Sequence, residues 1–436
     1  MRAMRYDLAI IGGGPAGYSA ALEARRHHMS VVIFERDLLG GTCLNRGCVP
    51  TKYLSHIARK YYEIKNAAKD GFVIPKIGID YKKTSSRMAD VVASLRSGLE
   101  GQLHGDGVLV VRGDASIIEK GTISCGGTVY EADYILIATG SVPEEPLIEG
   151  AVSSDGLLAI DHIPKELHVL GGGTVAVEFA EIFRMFGSKV TISIRSDRIL
   201  RKWDREISVG LAQSMKRKGI AIQKNCDFDR LEIDREAVVL SAAGRKASIP
   251  SATGGLFDIG LAGGILVDEN GQTRTAGIYA AGDVVNGSVR LAHIGMEQGR
   301  NVVRHIVGIG YRNHEVAVKC IYPAQEIASV GITEADAKDR GIEAVTAKQT
   351  MFANARTLIS TEERGFIKVV VDRRSRIVLG AQLMCERAGD IVAEFALAIG
   401  QGLTVDEMLC SVRPHPSYCE AISDVLRITE DKLDAR

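Results

Sequence analysis

The chain has 436 residues, 46% of them apolar and 47 of them glycine, which is enough for two or three domains with full cores. Lys+Arg and Asp+Glu each total 54, so the zero formal charge excludes a general field for nucleic acid or an anionic membrane, and any basic site must be local. No apolar run reaches the roughly 18 to 20 residues that a membrane span requires, and "MRAMRYDLAIIGGG" passes from a charged start straight into a strand, so a cytoplasmic protein without an export signal is expected.

In "YDLAIIGGGPAGYSAALEARRHHMSVVIFERD" an apolar strand (Leu8 to Ile11) leads into Gly12, Gly14 and Gly17, a helix, a second strand (Val31 to Phe34) and Glu35. This is a complete dinucleotide-binding pattern. The first glycine permits a tight turn, the second lets backbone approach a pyrophosphate, the third lets helix and strand pack, and Glu35 is placed for a ribose 2′-hydroxyl.

Next comes "GGTCLNRGCVPTK", Gly40 to Lys52, with Cys43 and Cys48 five positions apart. On an ideal helix such residues lie about 140° apart and about 7.5 Å along the axis, beyond the usual disulfide Cα range of roughly 4.4 to 6.8 Å. Gly47 between them and Pro50 just after allow the segment to bend and bring them together. A zinc site would need two further ligands, and the nearest candidate, His56, has no obvious companion, so no metal is expected. Two unconnected thiols remain an alternative to the favoured reading, a redox-active disulfide facing a bound cofactor. The 8 cysteines are too few for a disulfide scaffold, and Cys125, Cys226, Cys320 and Cys385 sit singly, as packing residues do.

Further along, "YILIATGSVP" (Tyr134 to Pro143) reads as a buried strand ending in a glycine turn. "ELHVLGGGTVAVEFAEIFRMFGSKVTISIRSDRILR" then repeats the dinucleotide pattern with Gly171, Gly173 and Ala176, but its second strand ends in Ile194-Arg195 instead of an acid. Arg195 and Arg201 form a cationic pair suited to a 2′-phosphate, which favours NADPH over NADH. "GIYAAGDVVN" reads as another closing strand. The first domain is therefore expected to be discontinuous, 1–145 and 267–312, with the second nucleotide unit inserted as 146–266. From 313 to 436 the pattern changes to strand, turn and helix, then a hairpin turning at Arg373-Arg374-Ser375, then apolar residues at helical spacing in "DIVAEFALAIGQGLTVDEM".

Together "GGGPAG", "GGTCLNRGCVPTK", "ATGSVP", "GGGTVAVEFAE", "AAGDV", "YPAQEIASVG" and "HPSYCE" resemble, in order and over nearly the whole chain, the pyridine nucleotide-disulfide oxidoreductases. These flavoproteins include dihydrolipoamide dehydrogenase, glutathione reductase and mercuric reductase. The resemblance implies an α/β fold with two Rossmann-like domains, for FAD and NAD(P)H, and a C-terminal α+β domain that forms a homodimer. It makes Cys48 the flavin-side thiol and Cys43 the outer thiol that exchanges with substrate. Lys52 and Glu178 match an ion pair near the flavin, and Asp283 matches the acid that binds the ribityl chain. Gly41, Thr42, Thr139, Gly140, Gly282, Ala292 and His293 fall at further cofactor positions. His415 and Glu420 match an acid/base pair that reaches into the partner subunit, an arrangement in which the carboxylate orients the imidazole.

The chain also departs from the family pattern. The second nucleotide domain usually closes with an "A-x-G-R-x-P-N" turn, for which "IPSATGGLFDIGLAGG" stands as a shortened version, and Thr174 replaces an aromatic gate. Cys410 and Cys419 read as structural rather than as a second dithiol relay. "CLNRGCVPTK" and "LAHIGMEQG" look like dihydrolipoamide dehydrogenase, whereas "SIRSDRILR" looks like the NADPH-using glutathione reductases. The expected activity is lipoamide-type. The alternatives are an NADPH-dependent glutathione, mercuric or other disulfide reductase, and a flavin-bearing redox sensor.

Overall fold

A computed structural model describes residues 4–310, 316–363 and 365–435. The strand Met4–Ile11 lies at the centre of a seven-stranded sheet, paired in parallel with Val31–Glu35 on one side and Thr128–Ile137 on the other. Its last four residues are buried because the helices Pro15–Arg26, Tyr81–Gly105 and Ala292–Ile306 cover one face, while the strands Ala115–Glu119 and Thr122–Cys125 with Ile265 cover the other. The helix Pro15–Arg26 packs against this strand only because Gly17 has no side chain: a Cβ there would stand 1.9 Å from the Gly12 carbonyl oxygen. Ile278–Ala280, from much later in the chain, adds a parallel strand beside Thr128–Ile137.

The second sheet is four parallel strands, ordered Ile220–Gln223, Lys189–Ser193, Glu166–Leu170 and Val238–Ser241. The helix Thr174–Phe186 is buried along nearly its whole length. That burial follows from its position between the second sheet and the helix Cys48–Asn66 of the first unit, where Leu54, Phe183, Ile327 and Met384 share one core. The third sheet is antiparallel, ordered Lys319–Ile321, Ile327–Gly331, Val378–Met384, Phe366–Asp372 and Ala344–Thr350, and is packed by the helices Ala388–Gln401 and Glu420–Asp434. Its hairpin turns where Ser375 donates its backbone N–H to Asp372. Among the described residues, no helix is long and apolar enough to cross a membrane.

Two sequence expectations need correcting. The turn that closes the second sheet is Ala242-Ala243-Gly244-Arg245, directly after Val238–Ser241, so its Gly-Arg pair is present and only the Pro-Asn part is missing. Arg245–Ala247 then pairs with Ser141–Pro143. The chain also rejoins the first sheet before residue 267: Ser251 accepts from Ile117 N, and Leu256 and Phe257 pack in that unit's core. Gly244, at φ +116°, supplies the turn that had been sought in the later glycine run.

The second and third units are pinned by Lys368, 3% exposed, whose Nζ lies 2.6 Å from Asp204 and 3.1 Å from Glu206. Breaking such a pair strands a buried charge. Lys368→Met should therefore lower unfolding stability by about 3 kcal/mol. Urea titration of the flavin-loaded protein measures this, and an unchanged midpoint would show the pair to be dispensable.

Candidate active site

The cysteine segment forms two helices, Gly41–Arg46 and Cys48–Asn66, broken at Gly47. A Cβ at Gly47 would stand 3.0 Å from the Thr42 carbonyl oxygen, so the close approach that folds the segment back favours glycine. The break brings the sulfurs together: the Cys43 thiol donates to Cys48 Sγ across 2.6 Å. The two thiols differ in acidity. The bond from Cys43 pulls Cys48 down to about 7 against burial, helped by Lys52, while the same bond, burial and the neighbouring charge push Cys43 up. Cys48 also opens its helix, where unpaired N–H groups and the helix dipole favour a thiolate.

One turn further on, Lys52 Nζ lies 2.8 and 2.7 Å from the two oxygens of Glu178, which also accepts from the Tyr322 backbone N–H at 2.9 Å. Lys52 sits 4.9 Å from the Tyr322 ring centroid as well. The sequence reading missed Tyr322 as a partner because its backbone, not its side chain, makes the contact.

The glycine loops are shaped for dinucleotides. Gly12 has φ +105°, and a Cβ there would stand 2.4 Å from the Ala138 oxygen. Gly14 caps the helix Pro15–Arg26 with no side-chain hydrogen bond, leaving its first N–H groups for an anion. A Cβ at Gly41 would stand 2.8 Å from Gly14 Cα, so the cysteine segment begins against the phosphate loop. Glu35 is held by the N–H groups of Gly13 and Asp37, each at 2.8 Å. These residues fit FAD.

Around this cradle, Thr139 donates to the Ser248 carbonyl at 2.5 Å, Gly140 has φ +68°, and Gly282 N donates to Gln298 at 2.8 Å. Asp283 accepts from Ser141 Oγ at 2.6 Å. Arg245 joins this group by donating to Ser141 Oγ at 2.9 Å and to Thr42 Oγ1 at 3.3 Å. Sequence reasoning missed Arg245, although a Gly-Arg pair closely following the strand Val238–Ser241 was the available signal. Ala292 starts the helix Ala292–Ile306, and His293 bonds the Val318 carbonyl at 2.8 Å, toward the third unit.

In the second unit Gly171 has φ +117° and Gly173 caps Thr174–Phe186, with Thr174 itself exposed. The Gly172 carbonyl accepts from Leu200 N at 2.7 Å, which ties this loop to the arginine segment. Arg195 is exposed and lies 4.6 Å over the Phe228 ring; Arg201 is also exposed. Between them Arg198, missed from sequence, donates to the Arg201 carbonyl at 3.2 Å and leaves its buried Nε unpartnered.

His415 Nδ1 lies 2.7 Å from Glu420, whose carboxyl is held below its usual range by that contact and by Ser417 N–H. The ring is 73% exposed. The helix begins at Glu420, five residues after the histidine. Cys410 is exposed and Cys419 packs against the third core, its thiol raised by burial.

Residues 6–299 match the pyridine nucleotide-disulphide oxidoreductase family, and residues 317–426 match its dimerisation domain. The chain belongs to that family. Dihydrolipoyl dehydrogenase of Mycoplasma pneumoniae is 31% identical over 97% of this chain and 98% of its own length, and that of Geobacillus stearothermophilus is 31% identical over 98% and 96%. Among solved structures, LpdA from Mycobacterium tuberculosis superposes with TM-score 0.89 at 26% identity, covering 98% of this chain and 99% of its own. The HOCl-induced flavoprotein disulfide reductase RclA from Escherichia coli gives 0.87 at 26% identity, covering 97% and 100%. The protein is thus an FAD-dependent disulfide oxidoreductase, dihydrolipoyl dehydrogenase-like, with two nucleotide domains and a dimerisation domain.

The acidity of Cys48 gives a direct test in the reduced protein. Below pH 7 the sulfur is mostly thiol and slow to alkylate; above pH 7 it is thiolate and fast. Iodoacetamide labelling should rise with a midpoint near 7, and Lys52→Met should move the midpoint upward. A midpoint that stays put in the variant would remove Lys52 from the account.

Proposed function

We propose that this flavoenzyme takes electrons from NADPH in preference to NADH and passes them through Cys48 and Cys43 to a lipoamide-type disulfide, acting as a cytoplasmic homodimer. The meeting of the Cys43 and Cys48 sulfurs, 2.6 Å apart beside the Lys52–Glu178 pair and the first glycine loop, is the observation that carries the disulfide reading. Bound FAD supplies the two-electron exchange with the nicotinamide.

In the reducing direction the outer thiol, Cys43, attacks a substrate sulfur. The substrate S–S bond breaks, a mixed disulfide with Cys43 forms, and the other substrate sulfur is set free as a thiolate that stays tethered on the opened dithiolane. Cys43 is a weak acid and needs a base, while the leaving thiolate needs a proton. His415, oriented by Glu420 and contributed by the second chain, performs both transfers. Cys48, already a thiolate near neutral pH, then attacks Cys43 Sγ and releases the second substrate thiolate, which takes up a proton. The Cys43–Cys48 disulfide remains and the substrate has gained two electrons.

NADPH selection is assigned to Arg195 and Arg201, exposed beside the second glycine loop, where charge-assisted bonds are each on the order of 1.5 to 3 kcal/mol. Arg195→Leu should raise the NADPH KM about ten- to a hundredfold and barely change that of NADH. A wild-type preference for NADH would end this assignment.

The thiol roles are tested by absorbance of the flavin-loaded protein. Cys43→Ser leaves Cys48 unpaired beside the cofactor and should show a long-wavelength charge-transfer band without reduction, whereas Cys48→Ser should show none at any stage. The opposite pattern would exchange the two roles. Steady turnover of lipoamide by NADPH separates an enzyme from a redox sensor, and glutathione disulfide or Hg(II) as the better acceptor would replace the lipoamide reading.

A further inference from the structure

The two sulfurs of the dithiol stand on separate anchors. Cys48 opens the long helix Cys48–Asn66, which is held to the other two units by Lys52 on Glu178, by Ser55 Oγ donating to the Tyr322 carbonyl at 3.2 Å, and by Arg59, whose Nη2 lies 2.8 Å from both Glu362 and Glu386. Cys43 has none of these supports. It lies in the helix Gly41–Arg46, six residues long, with no buried residue and no side-chain cap at Gly40. So short a helix is unstable alone in water, and its position must be imposed from outside.

One side chain of that helix imposes it. Asn45, two residues after Cys43, turns its Nδ2 back to the carbonyls of Leu39 and Gly41, each at 2.9 Å, with that of Leu38 at 3.4 Å. These carbonyls belong to the turn that sits on the first glycine loop, where Gly40 N donates to the Gly13 carbonyl at 2.9 Å. The amide thereby ties the helix of Cys43 to the phosphate loop and not to the helix of Cys48.

An amide can be turned over. With N and O exchanged, the Asn45 oxygen would face carbonyl oxygens, and the grip would become a repulsion. Arg96, half-buried on the helix Tyr81–Gly105, removes that choice by donating from Nη1 to Asn45 Oδ1 at 2.9 Å. A guanidinium has donors only, so it admits one orientation of the amide, and its charge strengthens the bond.

We infer that Arg96 is a positioning residue for the dithiol: acting through Asn45, it holds Cys43 where Cys48 can displace a substrate from it. The role rests on the thiol assignments proposed above and adds a residue to them. In the step concerned Cys43 Sγ carries the substrate in a mixed disulfide. The Cys48 thiolate attacks that sulfur, the Cys43–Cys48 bond forms, and the electron pair of the broken bond leaves with the substrate sulfur as a thiolate. Both reacting sulfurs are fixed to the protein, and a misplacement of about 1 Å can slow such a step about a hundredfold. The earlier attack, by Cys43 on a free disulfide, makes no such demand because the substrate is mobile.

Dithiobis(nitrobenzoate) separates the two steps, since each releases one coloured thiolate. Flavin-loaded enzyme, reduced by two electrons and freed of NADPH, is mixed with one equivalent in a stopped flow, and the release from oxidised enzyme, which reports the other cysteines, is subtracted. In Arg96→Leu the first release should keep its wild-type rate and the second should slow about ten- to a hundredfold. Asn45→Asp, of the same size and still an acceptor for Arg96 but no donor to the carbonyls, should slow the second release as far, whereas Arg96→Lys should keep most of the wild-type rate. Bound flavin per chain and reduction of ferricyanide by NADPH, which draws on the flavin directly, report folding of each variant and should not change. A second release unchanged in either Arg96→Leu or Asn45→Asp, or both releases slowed together, overturns the inference and leaves the disulfide chemistry standing. The thiol roles are read separately: Cys48→Ser should retain the first release and lose the second, and Cys43→Ser should lose both. The reverse exchanges the two roles and takes this inference with it.

Discussion

The carboxylate of Glu178 is the point on which the assembly turns. It is 7% exposed and accepts from Lys52 of the first unit and from the Tyr322 backbone of the third, while its own helix belongs to the second. A buried carboxylate is tolerable only when paired, and here the partners arrive from two other sheets. Glu181, one turn further along, repeats the device: it accepts from Ala324 N at 2.7 Å and faces Lys218 at 3.3 Å. The second unit pairs Glu181 with its own Lys218 but holds no cation on Glu178, whose charge is satisfied only by the other two units. Because Lys52 lies on the helix that Cys48 opens, the same contact fixes the dithiol relative to the second glycine loop.

The thiol pair depends on a second constraint, the interruption at Gly47. An unbroken helix would carry Cys43 and Cys48 to different faces; the break places one within a short helix and the other at the start of a long one. Proximity alone would leave two equivalent sulfurs. The asymmetry comes from position, since Cys48 gains the helix start, the bond from Cys43 and the field of Lys52, and Cys43 carries the cost of donating. Acidity thereby divides the labour within the pair.

Much of this was legible in the sequence, for physical reasons that differ from residue to residue. Gly12 and Gly17 were readable because each answers a steric demand that no other residue meets, and Gly47 because two cysteines five apart need a break. Arg195 and Arg201 were readable as a charge reversal at the end of a strand. Interactions made by backbone were not: Tyr322 N–H on Glu178 and Ser248 O on Thr139 leave no side-chain signature. Arg245 was overlooked because the strand before it, Val238–Ser241, is short and the later glycine run offered a more conspicuous turn.

The loop carrying His415 combines rigidity with exposure. Arg413, its side chain 4% exposed, pairs with Glu394 and donates to Ser423 at 2.8 Å, while Asn354 donates to the Ser417 carbonyl at 2.9 Å. Such anchoring fixes the loop within its own chain, yet Val412 and His415 face outward. A rigid loop has paid its ordering entropy before any contact is made, which lowers the entropic cost of association. The dimerisation domain thus has a reason to be rigid where it is most exposed: in the proposed mechanism the base must meet a sulfur of another chain within hydrogen-bond reach. In that proposed mechanism a base kept on the partner would leave an isolated chain inactive at the thiol step, which would couple the activity of Cys43 to correct assembly.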